Sequence, residues 1–528
     1  MAGTAGENHL NLKVQNLGPI AEADIELRPM SVFVGPSNTG KSYLATLIYA
    51  LHQFFGAYSG AVERTAQGLP FSFPMPTILP AKVVLSENDL RELYLWADAN
   101  IPKFEGGRVR WVPRSDIPKP ISALLKPAFD AFPQYSNFLD SDVVRCFGVD
   151  HSERLIRYGS NEGGFTLLGS FVNGPGSQRP FSYKVTVTEI GSYLSAEIAE
   201  TAPLGIDWDN NMAGVGLLKL PWNVLGYTVS NHEMDDDPRQ VVATALLGNI
   251  ARAAISETIN LCCLPAHYLP ADRAGATRSH QALVGALVSD ATRAPARAES
   301  QQPTFTGIYG DFLRRLVALR SSPLQGMQPQ EPLSVRMEQD ILKGEIRVDS
   351  NPVGYPSFFY RPHGGDHDLP LMNTSSMVSE LAPVVLYLRY VVRPGETLII
   401  EEPESALHPA MQVELTRLLA AAVKAGIRII ITTHSEWVLE ELANLVLMSE
   451  LPDEQREGLD GGNLALSPEE IGAWLFEPSN LPDGGTVVKE IPLDTEMGNF
   501  PSGFGLITAE LYNRYARISN RIERLKEG

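Results

Sequence analysis

Gly35-Pro36-Ser37-Asn38-Thr39-Gly40-Lys41-Ser42 matches the pattern G-x-x-x-x-G-K-[ST] in full. Glycines let the backbone curl so that successive N–H groups, together with the positive end of a following helix, face phosphate oxygens. In that arrangement the Lys41 ammonium reaches the β- and γ-phosphates, and the Ser42 hydroxyl joins the shell of a Mg²⁺ ion. The flanks supply the context that the pattern requires. The β-rich run Ser31-Val-Phe-Val34 stops at Gly35, and from Lys41 to Phe55 the apolar residues Leu44, Leu47, Ile48, Leu51 and Phe55 recur at helical spacing. Strand, glycine-rich loop and helix follow in order, with Gly56 as the expected helix stop.

Outward from this loop, Leu10 to Val14 and Ala23 to Leu27 alternate as strands do. After Pro370 the chain becomes regular again. A helical pattern runs over Ser379 to Tyr390, then come a β run Thr397 to Ile400, a helix from Pro409 to Ala425 closed by Gly426, and a β run Ile427 to Thr432. Such alternation implies a parallel sheet with crossover helices, shared by the first 55 residues and those after 370. The stretch between is heterogeneous: proline-rich near 69–80 and 113–133, alternating over Tyr183 to Ile198, and helical from Val241 to Leu261. Ala291 to Gln302 reads as an exposed connection. No repeat and no sustained heptad is visible, which excludes a solenoid or a long coiled-coil arm.

Leu398-Ile399-Ile400 leads into Glu401-Glu402, two carboxylates at the carboxyl end of a strand, where ligands sit in open α/β sheets. Neighbouring strand residues point opposite ways, so one carboxylate can hold Mg²⁺ while the other orients and deprotonates an attacking water. The next β run, Ile429 to Thr433, delivers His434 to the same edge if the two strands are parallel neighbours.

These residues resemble the ABC-type ATPase heads of the SMC, RecF and OLD families, over about 8–55 and 370–440. Leu398 to Pro409 is similar to their Walker B strand and D-loop. The resemblance assigns Glu401 to the metal shell, Glu402 to the catalytic base, Ser405 to Leu407 to a D-loop acting across subunits, and His434 to the switch histidine. It places the serine-rich segment Asn373 to Glu380, with Ser375 and Ser376, where the signature motif binds the γ-phosphate held by a second subunit. The usual signature glycines are replaced by Ser376 and Met377, and no glutamine loop follows the Walker A helix, a departure from transporter-type ABC proteins. Tyr268-Leu-Pro-Ala-Asp-Arg273 resembles a segment of OLD-like ATPases, in which Arg273 contacts nucleotide or braces the head. The Toprim nuclease set of OLD proteins is not seen. The fold class expected is α/β, a split ABC-type P-loop head with a large α+β insertion. Its parts are 1–55 (Walker A), 56–369 (insertion, part of it packing on the head), 370–445 (signature, Walker B, D-loop, switch histidine) and 446–528 (C-terminal extension).

Composition narrows the function classes. With 44% hydrophobic and 20% charged residues the chain is globular, and its net charge of −19 repels nucleic acid and anionic membranes as a whole. Any DNA contact is therefore local, with Lys103, Arg108, Arg110, Arg114, Lys119 and Lys126, or Arg273, Arg278, Arg293, Arg297, Arg314, Arg315 and Arg320, as the candidate stretches. Three cysteines, Cys146, Cys262 and Cys263, offer neither a disulfide framework nor zinc spacing, which suits a cytoplasmic protein, and no membrane span is expected. Neither His232-Glu233 with Asp235 to Asp237, nor His363 with Asp366 and His367, has the β context of a metal site. The resemblance implies an ATP- and Mg²⁺-dependent hydrolase working as a head dimer or higher homo-oligomer. Its expected role is the ATPase and sensor subunit of an anti-phage defence complex, with a separate nuclease or toxin as effector partner. The alternatives are a RecF-like DNA repair or recombination ATPase, with DNA as partner, and a non-hydrolysing nucleotide-binding scaffold.

Overall fold

A computed structural model describes residues 10–58, 85–100, 110–112, 136–172, 178–189, 191–198, 204–206, 265–280, 305–319, 331–349, 356–479, 484–493 and 512–519. The expected helix 241–261, the connection 291–302, His232 to Asp237, Cys262 and Cys263 lie outside the described residues. So do Lys103, Arg108, Arg114, Lys119, Lys126, Arg293, Arg297 and Arg320.

In chain order, β1 (Leu10–Leu17), β2 (Ile20–Leu27) and β3 (Met30–Val34) lead into α1 (Lys41–Tyr58). Then come α2 (Glu87–Asn100), β4 (Arg110–Val112), α3 (Ser136–Phe147), β5 (Glu162–Val172), β6 (Gln178–Thr188), β7 (Gly191–Ile198) and β8 (Leu204–Ile206). They are followed by β9 (Ala266–Leu269), α4 (Gly307–Ala318), α5 (Glu331–Met337), β10 (Gly344–Asp349), β11 (Ser357–Pro362) and β12 (Leu369–Pro370). The last stretch holds α6 (Ser376–Tyr390), β13 (Thr397–Glu401), α7 (Pro409–Lys424), β14 (Arg428–Thr433), α8 (Glu436–Ser449), α9 (Asp453–Arg456), β15 (Ile471–Pro478) and β16 (Thr486–Ile491).

The chain forms two compact units, one drawn from 1–11, 50–143 and 164–265, the other from 12–49, 144–163 and 266–528. In the first, β5, β6 and β7 are neighbours in that order, β6 and β7 pair antiparallel with Thr188 opposite Gly191, and β4 pairs antiparallel with β8. The second unit carries every motif residue. Its large sheet runs β1-β2-β16-β15-β3-β14-β13-β9, beside a small sheet β10-β11-β12.

In the large sheet β9, β13, β14, β3 and β15 are all parallel neighbours. Every residue of β3 and β13 is buried, as are Ile429 to Thr433 of β14. A strand covered on both faces reads as an unbroken apolar run rather than an alternating one, and Leu398-Ile399-Ile400 and Ile429-Ile430-Ile431 are such runs. Helices α4, α5, α6, α7 and α8 supply the remaining core, including Phe312, Leu316, Leu381, Val385, Leu419, Leu439 and Leu442. Helix α1 continues through Gly56 to Tyr58, so the expected stop is not where the helix ends; glycine inside a helix costs about 1 kcal/mol and does not by itself break it. Among the described residues no helix is long and apolar enough to cross a membrane.

Two features were not read from the sequence. Strand β15 inserts beside the Walker A strand β3, Ile471 opposite Met30 and Leu475 opposite Val34, so the region after 445 supplies part of the sheet itself. The sequence also leaves open which part of the expected 56–369 insertion packs on the head: residues 144–163 and 266–369 fall in the same compact unit as the motifs.

Candidate active site

Registry sets the site. Phe33 of β3 lies opposite Thr432 of β14, and Thr432 lies opposite Glu401 of β13. Gly35 and His434, two residues further along, and Glu402, one residue further, therefore leave one edge of the sheet from three adjacent parallel strands, and β9 ends beside them with Leu269 opposite Ile400. The expectation that His434 shares the edge of the carboxylates follows from this pairing.

The loop 35–40 turns through Gly35, Asn38 and Gly40, all with positive φ (141°, 64° and 99°). Pro36, Ser37, Asn38 and Ser42 are exposed at its lip, whereas Thr39 and Lys41 are buried. Thr39 Oγ1 donates to Pro36 O at 2.8 Å, which fixes the curl. Lys41 Nζ donates to Gly35 O at 2.9 Å and Pro36 O at 2.7 Å, so the ammonium is held within the loop. Burial lowers the Lys41 pKa to about 8, against an opposing pull from the Glu402 and Glu404 carboxylates. A Cβ on Gly35 would stand 2.4 Å from Phe476 O of β15. Gly35→Ala is therefore expected to destabilise the protein by about 2–4 kcal/mol, checked by denaturant unfolding, since both the φ and the space are wrong for alanine.

On β13 the two carboxylates differ in surroundings. Glu401 is buried, and its Oε2 accepts the Ala271 N–H at 2.9 Å. Glu402 is partly exposed and adopts φ 42°, a left-handed conformation unusual for a non-glycine residue; its N–H is held by Thr432 O at 2.9 Å. Its carboxylate lies 3.7 Å from His434 Nε2 and accepts Ser405 Oγ at 3.4 Å. The turn continues with Ser405 N–H to Glu402 O (3.1 Å) and Leu407 N–H to Glu404 O (3.0 Å), and Ala406 has φ 63°.

Glu404 has a place that the sequence reading did not assign. Buried, it accepts Thr433 Oγ1 at 2.6 Å and the His434 N–H at 2.7 Å, pinning the backbone of the histidine. Ser435 Oγ, which caps α8, donates to Gln412 Oε1 at 2.5 Å, while Gln412 Nε2 donates to Leu407 O at 2.9 Å. Polar side chains thus tie the 402–407 turn to the histidine loop.

Ser375 and Ser376 are exposed at the start of α6, where Ser375 Oγ caps the helix by accepting the Val378 N–H at 3.3 Å. Arg273 is wholly buried and bonds backbone carbonyls, so of its two expected roles the structure favours the brace, and it is not available to nucleic-acid phosphates. Arg314 pairs with Asp311 at 3.0 Å. Among the described residues no three His, Cys, Asp or Glu side chains converge as a metal site, His363, Asp366 and His367 included. The donors that suit a hard cation at the loop are the exposed Ser42 hydroxyl and the Glu401 carboxylate, oxygen ligands of the kind Mg²⁺ takes beside water and phosphate.

The P-loop, the paired strand-end carboxylates and the parallel strand between them make a nucleotide-binding arrangement of the P-loop α/β type by fold and motif. Residues 285–440 match the family model described as "AAA domain, putative AbiEii toxin, Type IV TA system". The chain is similar to an SMC head bound to the C-winged helix domain of ScpA, at 9% identity and TM-score 0.38, covering 91% of this chain and 97% of that one. It is also similar to the SMC head domain from Thermotoga maritima, at 11% identity and TM-score 0.33, covering 92% and 99%. A third similar structure is the Smc head with an extended coiled coil bound to the C-terminal domain of ScpA derived from Pyrococcus furiosus, at 9% identity and TM-score 0.37, covering 92% and 97%. No curated protein matches the chain.

Proposed function

We propose that the protein is a Mg²⁺-dependent ATP hydrolase that closes as a nucleotide-gated dimer and serves as the cytoplasmic ATPase subunit of a defence or toxin–antitoxin complex, controlling a separate nuclease or toxin. The observation that carries the hydrolase reading is the delivery of Gly35, His434 and Glu402 to one sheet edge by three adjacent parallel strands. In this reading the 35–42 loop and Lys41 hold the phosphates, and Ser42 and Glu401 hold Mg²⁺, which would neutralise phosphate charge. Glu402 takes a proton from the water that attacks the γ-phosphorus as the bond to the β,γ-bridging oxygen breaks and ADP leaves, and His434, 3.7 Å from that carboxylate, steadies the γ-phosphate oxygens. Ser375, Ser376 and Ser405 serve the partner's nucleotide, an assignment consistent with the exposure of the first two. The head comprises 1–55, 370–445 and the extension 446–528, with 56–369 as an insertion of which 144–163 and 266–369 belong to the head unit. The family description names a toxin–antitoxin system, which supports a place in such a system for this chain.

Because burial holds Lys41 near pKa 8, its charge fades within reach of experiment. The protonated form attracts phosphate, so ATP affinity is expected to be steady below pH 8 and to weaken by up to about tenfold per unit above it. Titration calorimetry at pH 7 and pH 9 checks this, and equal affinity at both would mean that Lys41 keeps its proton to pH 9. The biological role is tested by affinity capture of the ATP-trapped Glu402→Gln protein from its native host. A co-encoded nuclease or toxin supports the defence reading; DNA with recombination proteins and no effector replaces it with the repair reading.

A further inference from the structure

Arg273 Nε donates to Glu380 O at 2.9 Å, Nη1 to Glu401 O at 2.6 Å and Nη2 to Glu402 O at 3.2 Å. Nη2 also pairs with the Glu380 carboxylate at 3.3 Å. One rigid fork thus grips the first turns of α6 and the backbone of both strand-end glutamates. We propose that Arg273 is a positioning residue that couples the start of α6 to the orientation of Glu402, so that engagement of Ser375 and Ser376 by a second copy's nucleotide is transmitted to the base. This rests on the ATPase reading above.

Three observations support the coupling. Glu380 follows Ser376 by four residues, one helical turn on the same face, so a shift at the helix start is carried to the carbonyl that Arg273 holds. The left-handed φ of Glu402 is a conformation that its surroundings must impose, and the Arg273 bond to its carbonyl is part of that imposition. The buried guanidinium also faces the carboxylates of Glu380, Glu404, Glu401 and Glu402, a charge balance that lets them share one strand end. The same loop supplies the Ala271 N–H to Glu401 Oε2. Lysine brings one ammonium point in place of the fork and cannot reach all three carbonyls.

The test uses the full-length chain with Arg273→Lys, Glu380→Gln, Ser376→Ala and the two double variants with Ser376→Ala, measuring kcat, KM for ATP and thermal midpoint. Arg273→Lys is expected to lower kcat by about 100-fold with KM within about threefold, because a small misplacement of the base slows chemistry more than binding. The Ser376→Ala effect is expected to shrink to less than about twofold in the Arg273→Lys background, whereas independent sites would multiply. Should Arg273→Lys fail to fold, the Glu380→Gln pair runs the same cycle, with non-additivity expected again. A kcat for Arg273→Lys within about threefold of wild type, or effects that multiply in the double variants, overturns the coupling while wild-type turnover and its loss in Glu402→Gln leave the ATPase reading standing. Absence of wild-type turnover overturns that reading, and the coupling with it.

Discussion

Glu402→Gln is expected to lower ATP turnover by about 10²–10⁴-fold while ATP binding stays within about twofold of wild type, because the change removes a general base and little else. The amide has the size of the carboxylate. Its carbonyl oxygen can still accept Ser405 Oγ, and the backbone N–H keeps its bond to Thr432 O. Lys41, the loop and Glu401, which carry binding in this account, are untouched. What is lost is the proton acceptor beside His434 Nε2. Phosphate release and calorimetric binding, measured on one preparation, separate the two effects, and unchanged hydrolysis would remove Glu402 as the base.

Lys41→Ala shows the opposite signature, loss of binding together with turnover. Its ammonium is a buried positive charge at the loop, and two loop carbonyls, Gly35 O and Pro36 O, lose their donor with it. Truncating one partner of a buried charge contact costs about 2–5 kcal/mol, so ATP affinity is expected to fall by about 100-fold or more. Fold stability does not follow binding. The folded-state pKa, about 8, lies below the ordinary 10.5, so at neutral pH the folded protein carries a charge that burial disfavours, a penalty relieved only as pH rises through 8 towards 10.5. Alanine removes that penalty but leaves the two carbonyls without their donor, so the effects oppose and the thermal midpoint at pH 7 is expected to change little. A variant that unfolds instead would mean that Lys41 serves the fold rather than the ligand.

The legible parts of this site are those written contiguously. Gly35 to Ser42 is one uninterrupted motif, Leu398 to Ser405 another, and the apolar runs before them identify buried parallel strands without further help. His434 was reachable because a second run of the same kind ends just before it. The 268–273 segment was visible, but its purpose was not: Arg273 meets Glu401 O across a sequence separation of 128, and a carbonyl acceptor has no signature of its own. Glu404 was overlooked because its partners are a hydroxyl and an N–H on another strand, and in sequence it looks like a third surface acid. Strand β15 was missed for a different reason. Ile471-Gly-Ala-Trp-Leu-Phe476 is buried on both faces, and a short apolar run with an internal glycine carries no alternation to mark it. Its place beside β3 is nonetheless what makes Gly35 irreplaceable, through Phe476 O.

The nucleotide-gated dimer is the step on which the proposed role depends, and the hydrolysis-deficient Glu402→Gln protein isolates it, because bound ATP persists. Light scattering of that protein with Mg²⁺, with and without ATP, gives the mass in each state. The expected result is a doubling on ATP that is lost when Ser376 is also replaced by alanine. A single mass with and without nucleotide would contradict a sandwich of two heads and leave hydrolysis without the motion it is proposed to drive.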